Sequence, residues 1–124
     1  MSQYSPLKGQ TGLKRIFNAF KYSMSGFKSA FKNEAAFRQI ICLNLVLIPI
    51  SCMLHISKIE HVLLLIVGLL AIIVELFNSA IEAVVDRISL DQHPLAKIAK
   101  DMGSAAQFVA LIIIAVTWVI IVFL

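Results

Sequence analysis

Apolar residues recur at spacings of three and four from Leu13 onward, at Leu13, Ile16, Phe17, Phe20, Met24, Phe27 and Phe31. At 100° per residue they fall within a stripe about 80–100° wide, which predicts an amphipathic helix over 13–35. Lys14, Lys21, Lys28 and Lys32 line one flank of the stripe, and Thr11 is placed to cap its start. Such a helix suits the membrane interface beside anionic lipid, and it equally suits packing on other protein helices. Beyond it the pattern changes from a stripe to continuous apolar runs. The first, about 36–56, contains Asn44 and Pro49; the second, 62–85, is free of charge as far as Val74; the third, 102–124, carries no charge. About 20 apolar residues in a helix cross a bilayer, so the pattern predicts an all-α membrane protein with three spans. Pro49 is expected to kink the first span, Trp118 and Phe123 are placed to anchor the far end of the third, and residues 1–12 read as a mobile N-terminus.

Composition agrees with this reading. Hydrophobic residues make up 60% of the 124 and charged residues 15%, with a mean hydropathy of +0.90, outside the range of soluble domains. The segments outside the apolar runs, about 38 residues before the first and about 15 between the second and third, are too short to fold as a nucleotide-binding domain. An active site is therefore expected among the spanning helices in 36–124, with sharing between subunits as one arrangement. The net charge of +4 lies beside spans, which argues for topology and against nucleic acid. Seven Lys or Arg lie before or at the entrance of the first span, up to Arg38, three lie between Asp86 and Asp101, and Lys58 alone sits in the other link. That imbalance predicts a cytoplasmic N-terminus and a C-terminus on the opposite, periplasmic side. Cys42 and Cys52 share the first run ten residues apart; they cannot pair within one helix, match no metal spacing, and are expected as small core residues.

Chemistry concentrates in VELFNSAIEAVVDRIS, residues 74–89. On a helix Glu75, Asn78, Ser79, Glu82 and Asp86 lie within about 100° of one another, a polar stripe on an apolar span. Ionisable residues at membrane depth are costly and are usually functional or paired; the competing reading is a polar seam that fixes helix packing. Two glutamates and an aspartate on one stripe repel one another unless cations join them, which favours function. Glu75 is expected roughly 20 Å from the outer boundary at His61, with Glu82 about 10 Å further along, near the cytoplasmic edge. That separation suits a division of labour, with Glu82 at a divalent cation and Glu75 at a group held at lipid depth, as a general base. Two clusters face the same side. NEAAFRQ, residues 33–39, places Glu34 and Arg38 one turn apart, and AKDMGSAA, residues 99–106, opens the third span with Lys100 and Asp101. Alone, the first is an ordinary ion pair worth about 0.3–0.5 kcal/mol and the second a positive-inside anchor. Together with Arg15 they assemble acids for a metal and cations for phosphate, the parts required for phosphoryl transfer. GFKS at 26–29 lacks the first glycine of a phosphate-binding loop.

ExxNSAIExxxD from Glu75 to Asp86, with NEAAFRQ and AKDMGSAA, closely resembles the bacterial integral-membrane diacylglycerol kinases, over about Gly12 to Trp118 and with all three blocks in order. The resemblance implies a homotrimer of three-helix protomers with an N-terminal surface helix in the bacterial inner membrane. It implies transfer of the γ-phosphoryl of MgATP to diacylglycerol, giving phosphatidic acid, with Mg2+ as cofactor. Matched by position, Glu75 resembles the catalytic base, and Glu34 and Glu82 the metal-binding carboxylates. Arg15, Tyr22, Glu34, Glu82, Lys100 and Asp101 match nucleotide-binding positions, and Asn78 and Asp86 belong to the same polar network. Asp91, Gln92 and His93 align with a nucleotide-contacting loop in which only His93 is the usual residue. Arg15, Ser23, Glu75, Ser104 and Trp118 match lipid-substrate positions, while Met24 and Phe31 stand where tryptophans are common. Undecaprenol kinases share the catalytic block and form the nearest alternative. A small proton-coupled exporter, which also uses a membrane glutamate, is a more distant one.

Overall fold

The computed structural model describes residues 11–124; most of the N-terminal segment 1–12 lies outside the described residues. The described elements are four helices: α1 Gly12–Asn33, α2 Ala35–Met53, α3 Lys58–Ile88 and α4 Pro94–Phe123. α1 forms one compact unit and α2–α4, from Glu34 onward, another.

Within α1 the whole apolar stripe is exposed, from Phe27 at 42% to Leu13 at 84%. Lys21 Nζ sits 5.5 Å from the centre of the Phe17 ring, so the basic flank folds its cations towards the aromatic stripe. Ser23 Oγ donates to the Ala19 carbonyl at 2.9 Å, a local bond that occupies its proton.

α2, α3 and α4 are each long and apolar enough to cross a membrane, and each starts or stops where local chemistry dictates. α2 ends at Met53, short of the expected 56: Leu54 is extended and its N–H turns back to Ser51 O at 3.2 Å. α3 starts at Lys58, ahead of the apolar run. A capping box fixes that start, with Glu60 N–H donating to Ser57 Oγ at 3.2 Å and Ser57 N–H to Glu60 Oε2 at 2.7 Å, so two otherwise orphaned donors are satisfied. α4 likewise begins two turns before Met102, because Pro94 suits the first turn and His93 Nδ1 accepts from Leu95 N–H at 3.1 Å. Hydropathy marks the buried-in-lipid part of a helix, whereas caps mark its ends. With 31 residues, α3 is about 46 Å long, more than a ~30 Å hydrocarbon core requires.

α3 is the middle helix of the second unit, packed against both α4 and α2. Its seam is centred on Ile40, Val67, Ala71, Ala110 and Ile114, with Leu43, Leu47, Ile72, Val74 and Trp118 packed against them. Trp118, half-buried, packs partly against this seam. Two glycines set the spacing. A Cβ at Gly68 on α3 would overlap Asn44 Oδ1 of α2, and a Cβ at Gly103 on α4 would overlap Asn78 Oδ1 of α3. Asn44 Nδ2 donates to Gly68 O at 3.2 Å and to Ile40 O at 3.0 Å, pinning α2 to α3. Cys42 and Cys52 are exposed and free, contrary to their reading as core residues. The apolar character that suggested a core place is equally suited to the outer face of a membrane helix. That outer face is extensive, since only 17% of the most apolar window of α4 is buried.

Candidate active site

Along the polar stripe of α3 burial falls steadily. Glu75 is 2% exposed and Asn78 9%; Ser79 and Glu82 are half-buried, and Asp86 is exposed. The gradient arises because the middle of α3 is flanked on both sides, while its C-terminal turns extend towards the open α3–α4 connection.

Three elements converge on this stripe. From α4, Lys100 Nζ donates to Asp86 Oδ1 at 2.7 Å and also lies in the field of Glu82. Half-exposed, that pair contributes little stability and leaves lysine and carboxylate available to a ligand. Asp101 pairs with Lys97 one turn earlier on the same helix. From α2, half-buried Glu34 occupies the N-cap position but makes no side-chain cap bond, so its carboxylate is not used to hold the helix. The Glu75 carboxylate lies beside the side-chain amides of Asn78 and Gln107 and in the field of Glu82 and Glu34. A single chain thus carries Glu75, Asn78, Glu82 and Asp86 on one stripe with Lys100 bonded to its end, and Glu34 lies in the field of Glu75.

Other sequence-derived positions lie elsewhere. Asp91, Gln92 and His93 belong to the α3–α4 connection, where with Asp86, Lys97, Lys100 and Asp101 they line an open cleft of about 740 Å³. Arg15, Tyr22 and Ser23 are exposed on α1. Ser104 is exposed and Trp118 half-buried; they stand about 21 Å apart along α4, too far to meet at one atom. Sequence reasoning missed Gln107, Lys97 and Gly103. Gln107 was legible as a lone amide in an apolar run, seven residues after Lys100 and hence on nearly the same face.

Among the described residues, buried Asn78 Oδ1, Ser79 Oγ and Gln107 Oε1, and Asn44 Oδ1 at the α2–α3 seam, have no hydrogen-bond partner. Native interiors satisfy nearly all such atoms, and three of these four lie on or beside the stripe that carries Glu75. Among the described residues no three His, Cys, Asp or Glu are grouped closely enough to hold a metal unaided. Mg2+ commonly takes one or two carboxylates and completes its shell with water and substrate phosphate, so the oxygen donors Glu34 and Glu82 fit it.

The profile of the family described as prokaryotic diacylglycerol kinase matches residues 21–122. The chain belongs to the prokaryotic diacylglycerol kinase family. It is 66% identical over 114 residues to a diacylglycerol kinase of Pseudomonas aeruginosa, covering 92% of this chain and 93% of that protein. To the diacylglycerol kinase of Haemophilus influenzae it is 49% identical over 108 residues, with coverages of 87% and 92%. To that of Escherichia coli K12 it is 49% identical over 110 residues, with coverages of 89% and 90%. With three apolar helices of spanning length, this member of the diacylglycerol kinase family is a multi-pass membrane protein. The stretch matching the family profile contains α2 and α3 entirely and Tyr22 and Ser23 of α1, whereas Arg15 precedes it.

Proposed function

We propose that the protein is an ATP-dependent lipid kinase that phosphorylates diacylglycerol to phosphatidic acid, with Glu75 as general base. The observation that carries this reading is a carboxylate 2% exposed in mid-span on the same helix face as Glu82 and Asp86, in a chain of this family. In the reaction the lipid hydroxyl loses its proton to a Glu75 oxygen, the lipid oxygen bonds to the γ-phosphorus, and the bond from that phosphorus to the ADP oxygen breaks. Glu34 and Glu82 would hold Mg2+, which supplies charge neutralisation at the phosphates. Lys100 and Asp101, with Arg15, Tyr22 and the loop Asp91, Gln92 and His93, serve the nucleotide. Asn78 and Asp86 hold the polar network in place, Asp86 by its bond to Lys100. Arg15, Ser23, Ser104 and Trp118 serve the lipid.

The orientation and assembly belong to the same proposal: an inner-membrane protein, N-terminus cytoplasmic and C-terminus periplasmic, acting as a homotrimer. The basic residues before α2 and after α3 support the orientation. Assembly is supported by the large apolar outer face of three helices that must also screen a polar stripe from hydrocarbon. Residues 13–35 are read as a surface helix, and 36–124 as the catalytic domain. The deciding experiment supplies the purified protein with labelled ATP and either diacylglycerol or undecaprenol. Label in phosphatidic acid is the expected result; label in undecaprenyl phosphate alone would transfer the assignment to the other kinase.

A further inference from the structure

Gln107 has no role in the chemistry set out above, yet it is an amide 9% exposed on an apolar helix. Its Nε2 donates across the α3–α4 seam to Ala71 O at 3.3 Å, and Ala71 is 0% exposed. In an α-helix the carbonyl of residue 71 receives the N–H of residue 75. Gln107 therefore adds a second donor to the oxygen that anchors the backbone of Glu75, which a carbonyl with two lone pairs accommodates. The same side chain lies beside the Glu75 carboxylate, and its Oε1 has no partner. A packing role alone does not account for this. Leucine or methionine would fill the seam without leaving a buried oxygen unpaired. Asn44, which pins α2 to α3 at Gly68, lies a full seven residues from Glu75 along α3 and is not beside its carboxylate.

We propose that Gln107 is a positioning residue for the proton-accepting carboxylate. It holds the turn from Ala71 to Glu75 in place through Nε2. Its amide beside the carboxylate fixes where the proton-accepting oxygens stand relative to the lipid hydroxyl. The lipid O–H bond breaks and the new O–H bond forms on Glu75; Gln107 orients both states without exchanging a proton itself.

The inference rests on Glu75 being the base, and the test separates the two. Steady-state kinetics of the full chain in mixed micelles are compared for wild type, Q107M, Q107N and E75Q. Q107M keeps the volume and removes the amide; it should lower kcat at least tenfold while KM for MgATP and for diacylglycerol stays within twofold. Q107N keeps an amide one methylene short of Ala71 and should fall between Q107M and wild type. Wild-type kcat in folded Q107M, or a loss expressed in KM, overturns the inference. If Q107M fails to assemble, Q107N is read by the same criteria, and wild-type kcat there overturns it too. An active E75Q sinks the base assignment itself; an inactive E75Q with normal Q107M and Q107N sinks only the role of Gln107.

Discussion

A carboxylate in mid-span has no water to hydrate it, so what Glu75 does is set by its few neighbours. Those are Asn78 and Gln107 amides and the fields of Glu82 and Glu34, with the Lys100–Asp86 pair further along the stripe. Glu75→Gln preserves the shape and removes the basic oxygen. It should lower kcat by about 10²-fold or more, the usual size of a general-base contribution, with KM for MgATP little changed. A variant above about a tenth of wild-type rate would remove Glu75 from that role. Glu34→Ala and Glu82→Ala act at the other end of the stripe. Both should raise the Mg2+ concentration needed for half-maximal rate, because each removes one oxygen donor for a phosphate-bridging cation. Mg2+ titrations that overlay wild type for both variants would count against the pair as ligands.

Among elements, the seam between α3 and α4 controls how the site is held. At Gly103 an added methyl would meet Asn78 Oδ1, the tip of a side chain that can rotate away. Gly103→Ala is therefore expected to fold, with a stability change within the common range of about 0.5–3 kcal/mol, and to lose activity because Asn78 leaves the side of Glu75. Unchanged kcat in that variant would show that Asn78 is not needed in its present place. The helical pattern and the stripe from Glu75 to Asp86 were legible in the sequence because both follow from a 3.6-residue period within one helix. Pairings between helices were not. Nothing in periodicity tells that Lys100 bonds Asp86 while Asp101 bonds Lys97, or that Gln107 reaches Ala71 O. The true start of α3 was legible in SKIE, residues 57–60, but hydropathy drew attention to the apolar run beyond it. Cys42 and Cys52 went astray for a related reason: in a membrane, apolar character does not distinguish inside from outside.

At the scale of the whole molecule, Glu34 precedes α2, Glu75 and Glu82 lie on α3 and Lys100 on α4, while the segments outside the spans are too short to enclose ATP. Co-folding an E75Q chain with an E34A chain therefore tests how sites are distributed in the assembly. In a site shared between subunits, some interfaces receive an intact Glu75 from one chain and an intact Glu34 from its neighbour, so mixed oligomers verified by cross-linking should recover activity. No turnover at any mixing ratio would mean that both carboxylates come from one chain.

The two glycine–asparagine contacts, Asn44 against Gly68 and Asn78 against Gly103, act on α3 from opposite partners and at two heights. Sliding α3 past α2 would break the bond from Asn44 to Gly68 O, and sliding it past α4 would turn Asn78 out of its place at Gly103. The three helices are thus keyed like a bolt with two wards. A thinner or thicker bilayer then has to be met by tilting them as one body, and the distance from Glu75 to Glu82, Asp86 and Lys100 stays the same whichever membrane surrounds them.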